Sequence, residues 1–221
     1  MVELDEQVAA VWKAILTDNE AASLTDKIMS FDLTTESLHE ELAKAPASTL
    51  EKAFQTILKN RTYHGGILAA GSAPLKHGEN GKGVKSRWYA ETLRKRILEI
   101  SKLRDRITFI DGDGMEVIRQ NAKRQDAAFF IDPPYTAAGK KAGRRLYTHS
   151  ELNHENLFNL IGSVSGDFLM TYDNAYGVRR LATEHGFDTE AIAMKNRHHA
   201  EMTELLIGRD LDWARLQTRE K

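Results

Sequence analysis

Cysteine is absent from the 221 residues, and proline occurs only four times. Without cysteine the chain has no disulfide, no thiolate metal ligand and no cysteine nucleophile. No apolar run approaches the ~18 residues that a membrane helix needs, and no basic segment followed by an apolar one marks a secretory signal. A net charge of −1 means that any nucleic-acid binding depends on local patches. We therefore expect a cytoplasmic protein with no membrane contact.

The histidines form no pattern that is typical of a metal site. His149 and His154 are five positions apart, whereas His198 and His199 are adjacent. Neither spacing places two imidazoles on one helix face, as positions i and i+4 would. We predict that the protein holds no metal.

Apolar spacing predicts helices in the first half of the chain and alternating strands and helices in the second half. The predicted helices are residues 8–16, 36–44, 50–59, 90–103, 115–121, 150–164 (with Ser150 as N-cap) and 178–185. The predicted strands are residues 107–110, 127–131 and 167–172, followed by a terminal hairpin of residues 188–194 and 203–207. Such alternation predicts an α/β fold with a mainly parallel sheet and helices on both faces. Residues 60–89, rich in Gly, Lys, Arg and His, predict a long functional or mobile loop.

The most informative segment is residues 127–135, an apolar run that ends in Asp132, Pro133, Pro134 and Tyr135. Two successive prolines stop a strand because they lack an N–H group and have a fixed φ. Ligands of open α/β sheets bind beyond the carboxyl ends of the strands, so this turn is a candidate site.

This turn suits chemistry on an exocyclic amine. The Asp132 carboxylate and the Pro133 carbonyl are acceptors that can hold both protons of an NH2 group. The amine lone pair is then free to attack an electrophilic methyl group, with positioning and electrostatics as the main catalytic effects. Tyr135 offers a ring face on which a base can stack, worth about 1–3 kcal/mol.

Together with three other segments, this turn resembles the Dam-like class of adenine-N6 DNA methyltransferases, which use S-adenosylmethionine. In that family the acid and the first proline carbonyl hold the adenine N6, and the aromatic residue stacks on the flipped base. Residues 60–66 (NRTYHGG) resemble the family's Asn-Arg-x-x-Phe-Asn-Gly segment, which precedes its DNA-contacting region. The resemblance implies methylation of double-stranded DNA in a bacterium or phage, as in restriction–modification.

The resemblance also implies the cofactor-binding residues. Residues 111–114 (DGDG) match the segment whose acid approaches the adenine of S-adenosylmethionine, and Asp113 is the better match. Residues 3–5 (ELD) match the strand end whose carboxylate binds the ribose, with Glu3 first and Asp5 as the alternative. Asp132 lies at the same cofactor site.

One part of the family's pattern is missing. The family begins with a strand and a Phe-x-Gly-x-Gly loop, which precede the segment that matches residues 3–5. We therefore expect a Rossmann-like methyltransferase sheet that is incomplete at its N-terminal strand, with the missing strand on an N-terminal segment or a companion chain. Residues 1–20 and 104–221 form the predicted catalytic domain, and residues 21–103 form an inserted helical and basic-loop region that recognises DNA.

Basic residues in two segments, a first of residues 76–96 and a second of residues 140–145, are candidates for phosphate contacts. The predicted DNA-binding residues are Asn60, Arg61, Lys82, Lys85, Arg87, Lys140, Arg144 and Arg145. A solvated, lysine-rich surface loop is the alternative interpretation of the second segment. Two alternatives to adenine methylation also remain open. One is methylation of another nucleic-acid amine, such as N2 of guanine in ribosomal RNA, and the other is an inactive truncated remnant.

Overall fold

A computed structural model describes residues 1–78, 81–134, 148–149, 152–195 and 201–219. The chain divides into two compact units, the first containing Met1–Asp113 and the second most of the chain from Gly114 onward. The sequence analysis divides the chain differently, with a functional boundary at residues 103/104 and residues 1–20 assigned to the catalytic domain. Compactness does not test an assignment by function, so that division stays a prediction.

The first unit is a helical bundle with a short parallel strand pair. Its elements are β1 (Val2–Glu3), α1 (Glu6–Leu16), α2 (Glu20–Ser30), α3 (Thr35–Ala43), α4 (Thr49–Thr62), α5 (Ala90–Ser101) and β2 (Ile110–Asp111). The described residues of this unit also form 3₁₀ turns at His64–Gly66, Gly83–Arg87 and Arg104–Arg106. Strands β1 and β2 pair in parallel, with Glu3 opposite Asp111.

Local sequence explains where these helices begin. Asp5 caps α1, because its carboxylate accepts from the backbone N–H groups of Gln7 and Val8. Thr34 and Ser37 form a reciprocal capping box at the start of α3. The apolar faces meet in a core whose largest members include Leu24, Ile28, Leu38, Phe54 and Leu58, all fully buried.

Helix α2 is absent from the predicted elements. It follows Asn19, which adopts a left-handed conformation with a φ of 65° and makes no side-chain cap. A helix without a capping signal and with few large apolar residues is hard to recognise from sequence. Tertiary packing stabilises α2 instead, since Leu24 and Ile28, one helical turn apart, are both fully buried.

The second unit is a mixed α/β structure. Its elements are α6 (Gly114–Asn121), β3 (Ala128–Ile131), α7 (His154–Gly162), β4 (Asp167–Asp173), α8 (Tyr176–Glu184), β5 (Asp188–Lys195), β6 (Glu201–Gly208) and α9 (Asp212–Arg219). The described strands lie in the order β3-β4-β6-β5. Among these described strands, β3 and β4 pair in parallel, whereas β6 pairs antiparallel with both β4 and β5.

Both faces of this sheet pack against helices. Phe168, Met170 and Tyr172 alternate along β4 and point to the face that packs against α6, α7 and α8. On the other face, Leu206 of β6 packs with Leu211 and Ala214 at the start of α9. The prediction of an α/β fold is confirmed. The described sheet, which was predicted to be mainly parallel, is mixed.

Several predicted boundaries shift in the structure. The predicted strand of residues 107–110 is reduced to β2, where only Ile110 and Asp111 pair. The predicted helix of residues 150–164 begins later, because Asn153 is the N-cap and accepts from the Asn156 N–H at 2.9 Å. Ser150 lies outside the described residues. The terminal hairpin is confirmed as β5 and β6, whereas α9 has no counterpart among the predicted elements.

Within the described ranges, the helices are all too short or too polar to span a lipid bilayer.

An ion cluster attaches α9 to the hairpin. Arg215 of α9 contacts Asp188 and Glu190 of β5. Asp188 also accepts from the Leu211 N–H at 2.9 Å. The hydrogen bonds from Arg215, followed by the Leu211 N–H, lower the pKa of Asp188 from 3.8 to about 2.

We expect Asp188→Asn to lower the free energy of unfolding at pH 7 by about 1–2 kcal/mol, because it removes a partly exposed, charge-assisted pair. A carboxyl whose pKa is depressed in the folded state stabilises the protein above its unfolded pKa. The difference between parent and variant therefore disappears as the pH falls from about 4 toward 2. Urea unfolding at pH 7, 4 and 2.5 measures it, and a pH-independent difference would contradict the role of the Asp188 charge.

Candidate active site

The end of β3 places an acid at the edge of the sheet. The strand is apolar from Ala128 to Ile131 and stops at Asp132, whose side chain is exposed. Pro133 is buried and Pro134 is half-buried, so the turn is anchored by its prolines while the carboxylate faces solvent. The predicted stop after residue 131 is confirmed. Tyr135, the predicted stacking residue, lies outside the described residues.

Parallel pairing brings a second residue to this carboxylate. Ile131 lies opposite Met170, so the next position on each strand places Asp132 beside Thr171. The Thr171 Oγ1 hydroxyl donates to Asp132 Oδ1 at 2.7 Å. The sequence analysis missed Thr171, because it assigned no partner strand to residues 127–131. Pairing that strand in parallel with the next predicted strand, residues 167–172, would have found it.

Further acids lie near this edge. Asp173, the last residue of β4, is nearly buried and lies opposite Glu204 of β6. Burial, with a smaller contribution from the negative charge of Asp132, raises the pKa of Glu204. The negative charge of Asp132 is thus felt by Glu204 at this end of the sheet.

A histidine–tyrosine pair packs beside the end of β4. The fully buried Tyr172 hydroxyl and His154 Nδ1 form a 3.0 Å hydrogen bond, and their rings meet edge to face. Burial lowers the pKa of His154, although the Asp173 charge opposes this shift. The pair joins the start of α7 to β4.

The connection from β4 to α8 is held by side-chain amides. Asn174 Nδ2 donates to Thr203 Oγ1 at 3.0 Å, and Asn174 Oδ1 accepts from Arg179 Nε at 2.7 Å. These contacts hold the end of β4 against β6. Tyr176, at the start of α8, is 85% exposed.

Of the predicted cofactor residues, Glu3, Asp5 and Asp113 lie at or just beyond the carboxyl ends of the parallel pair β1 and β2 in the first unit. Asp132 follows β3 in the second unit. Glu3 Oε1 accepts from the Asp5 N–H at 2.9 Å. Asp5 Oδ1 is engaged in turn as the cap of α1, and the ribose contact predicted for Glu3, or alternatively Asp5, stays a prediction. Asp113 lies two positions after Asp111, the last residue of β2. Asp111 itself forms an ion pair with Lys13. The strand pairing thus places Glu3 and Asp113 at ends of adjacent strands that point the same way.

The predicted DNA-binding residues of the first unit divide into two groups, those that bond to the unit's own backbone and those that are directed outward. Arg87 Nη2 donates to the backbone carbonyls of Asn60 and Tyr63 at the end of α4. The Asn60 amide in turn donates to the Gly66 carbonyl at 3.1 Å. These contacts give Arg87 and Asn60 structural roles, and their contact with DNA stays a prediction.

The lysines of this segment are directed outward. Lys82 is exposed, and Lys85 lies 3.4 Å from the exposed carboxylate of Asp32. Arg61 is half-buried on α4. Lys140, Arg144 and Arg145 lie outside the described residues. Within the described ranges, no three His, Asp or Glu side chains converge as metal ligands would.

We expect Arg87→Met to lower the free energy of unfolding by about 1–3 kcal/mol, because two carbonyls at the end of α4 lose a charged donor. The exposed Lys85→Met is the matched control, for which we expect a change within about 0.5 kcal/mol. Urea unfolding followed by circular dichroism measures both. Equal effects of the two substitutions would contradict the capping role of Arg87.

Comparison with known proteins yields likenesses to solved structures alone. No protein-family model and no curated protein matches the chain. The solved structures that match include one described as a "putative RNA methyltransferase" from Pyrococcus horikoshii. The identity is 14%, the match covers 87% of this chain and 96% of that chain, and the TM-score is 0.30. A TM-score of this size accompanies only loosely related architectures and indicates no function for this chain.

Proposed function

We propose that the protein transfers a methyl group from S-adenosylmethionine to the N6 amino group of adenine in double-stranded DNA. The observation that carries this proposal is the turn at the end of β3. It combines an exposed carboxylate that is held by Thr171 with two anchored prolines.

The turn has the acceptors that this reaction needs. The Asp132 carboxylate and the Pro133 carbonyl accept hydrogen bonds from the two N–H groups of N6. This favours a pyramidal nitrogen with its lone pair directed outward. S-adenosylmethionine, when bound, supplies an electrophilic methyl group on a positively charged sulfur. As the nitrogen–carbon bond forms, the carbon–sulfur bond breaks and its electron pair stays on sulfur. The nitrogen then loses one proton, which the Asp132 carboxylate can accept or pass to water.

The proposed cofactor residues fit the donor chemistry of the nucleoside. A carboxylate at a strand end, such as Glu3, accepts hydrogen bonds from ribose hydroxyls. Asp113 lies at the end of the neighbouring strand and can accept from the exocyclic amine of the adenine ring. In this assignment Asp5 helps indirectly, because its cap fixes the start of α1.

For DNA binding, the exposed Lys82 and Lys85 are the better-placed members of the first basic segment. Each phosphate contact of this kind releases a counterion, which makes affinity depend on salt. Arg61 and, in the second segment, Lys140, Arg144 and Arg145 complete the proposed set. Such contacts would offset the few kcal/mol that base flipping costs.

We expect Asp132→Ala to reduce methyl transfer by at least 1,000-fold while the affinity for S-adenosylmethionine changes less than about threefold, because the carboxylate holds the acceptor amine. Transfer of tritiated methyl groups to adenine-containing duplex DNA, together with calorimetry of cofactor binding, measures both quantities. Asp167→Ala is the matched control, since Asp167 lies at the opposite end of β4 from Thr171.

The same assay includes ribosomal RNA, because the turn could equally hold N2 of guanine. Methyl transfer to RNA but not to DNA would replace adenine N6 with that amine as the substrate. An absence of both transfer and cofactor binding in the parent would indicate an inactive remnant. Full activity of Asp132→Ala would exclude the turn from the reaction.

We further propose that β3 gains a parallel strand, supplied by an N-terminal segment or by a companion chain. Among the described strands, β3 pairs only with β4, and its Phe130 side chain is 69% exposed. Strands of parallel sheets are usually covered on both faces and paired on both sides. An apolar edge strand beside the proposed catalytic acid is therefore a site for strand addition.

Extending the chain by about 50 residues upstream in the genomic frame, roughly one βα unit, is expected to slow amide exchange in β3 and to raise methyl transfer. The matched control carries a scrambled upstream segment of equal length. Hydrogen exchange monitored by mass spectrometry measures the protection of the β3 amides. Unchanged exchange in the extended chain would contradict an upstream source, and protection that appears only with a co-expressed protein would assign the strand to a companion chain.

A further inference from the structure

We infer that Thr171 is a positioning residue for methyl transfer, which fixes the orientation of the Asp132 carboxylate toward the acceptor amine. The inference rests on the proposed function and adds to it a residue on a different strand. The observation behind it is the 2.7 Å hydrogen bond from Thr171 Oγ1 to Asp132 Oδ1.

The exposed position of Asp132 gives this contact a role in orienting the carboxylate. Its side chain is exposed at the end of a four-residue strand, and the following prolines supply no backbone N–H to hold it. The torsion that orients an aspartate carboxylate is broad and only weakly restricted. A donor such as Thr171 restricts the orientation of the carboxylate plane relative to the Pro133 carbonyl.

Thr171 is well suited to be that donor. It lies on β4, a strand paired on both sides, between Met170 and Tyr172, which are both fully buried. The backbone at position 171 is therefore held from both directions. Threonine is also β-branched, so its χ1 rotamer is restricted and its hydroxyl stays in one direction.

The geometry has a consequence for the reaction. A short hydrogen bond to an ionised carboxylate is stronger than a bond between neutral groups. By occupying one acceptor position on Oδ1, Thr171 fixes the plane in which the remaining acceptor positions of Asp132 lie. A misplacement of about 1 Å can cost about 100-fold in rate, so this contact bears on turnover rather than on substrate binding.

Two substitutions test the inference. We expect Thr171→Val, which keeps the shape but removes the donor, to lower kcat by about 10- to 100-fold, with KM for DNA and for S-adenosylmethionine within about threefold of the parent. Thr171→Ser, which restores the hydroxyl on a less restricted side chain, is expected to recover most of kcat. An equal loss in both variants, or a Thr171→Val enzyme with the parent's kcat, would overturn the inference.

A readout independent of turnover separates this inference from the proposed function. In protein labelled with ¹³C-aspartate, the Asp132 carboxyl resonance is identified by its absence in Asp132→Asn. We expect that resonance to move in Thr171→Val and to stay near the parent position in Thr171→Ser. An unmoved resonance in Thr171→Val overturns the inference, whether or not the parent methylates nucleic acid. If the resonance moves in Thr171→Val but the parent transfers no methyl group, the result supports the contact and rejects the proposed function.

Discussion

The parallel pairing of β3 with β4 is the constraint on which the candidate site depends. Both strands end at the same edge of the sheet, and their register brings Asp132 next to Thr171. A shift of one residue would turn every side chain of β3 to the opposite face. Phe129 and Ile131 would then leave the core, and Asp132 would point into it. Core packing and site geometry are thus two consequences of one register.

Strand β4 has the central role because it is held on all sides. It pairs with β3 and β6, and its alternating Phe168, Met170 and Tyr172 are buried by helices. Asn174 then fastens its end to β6 through Thr203. Rigid elements hold functional groups more precisely than loops do, so a donor on β4 suits the control of a carboxylate at the end of β3. By contrast, β3 carries the exposed Phe130 and is the incompletely covered part of the described sheet.

The first unit shows that a basic segment serves several purposes. Arg87 holds the end of α4 through the carbonyls of Asn60 and Tyr63, whereas Lys82 and Lys85 are directed to solvent. A planar guanidinium with several donors suits a convergence of carbonyls, whereas an ammonium group on a flexible stem suits a phosphate at the surface. Among the acids of this unit, Asp5 caps α1, whereas Glu3 accepts the Asp5 N–H.

Local sequence by itself determined most helices, the stop at Asp132 and the terminal hairpin, because apolar periodicity, caps and prolines act over a few residues. It missed α2, whose only strong signal is the burial of Leu24 and Ile28 by distant helices. Only the tertiary structure decided that β6 lies between β4 and β5, which makes the sheet mixed. It also decided that Thr171 reaches Asp132 and that Arg87 turns inward. These contacts join residues 24 to 39 positions apart, and no local pattern encodes them, because their energy appears only when the strands and helices pack together.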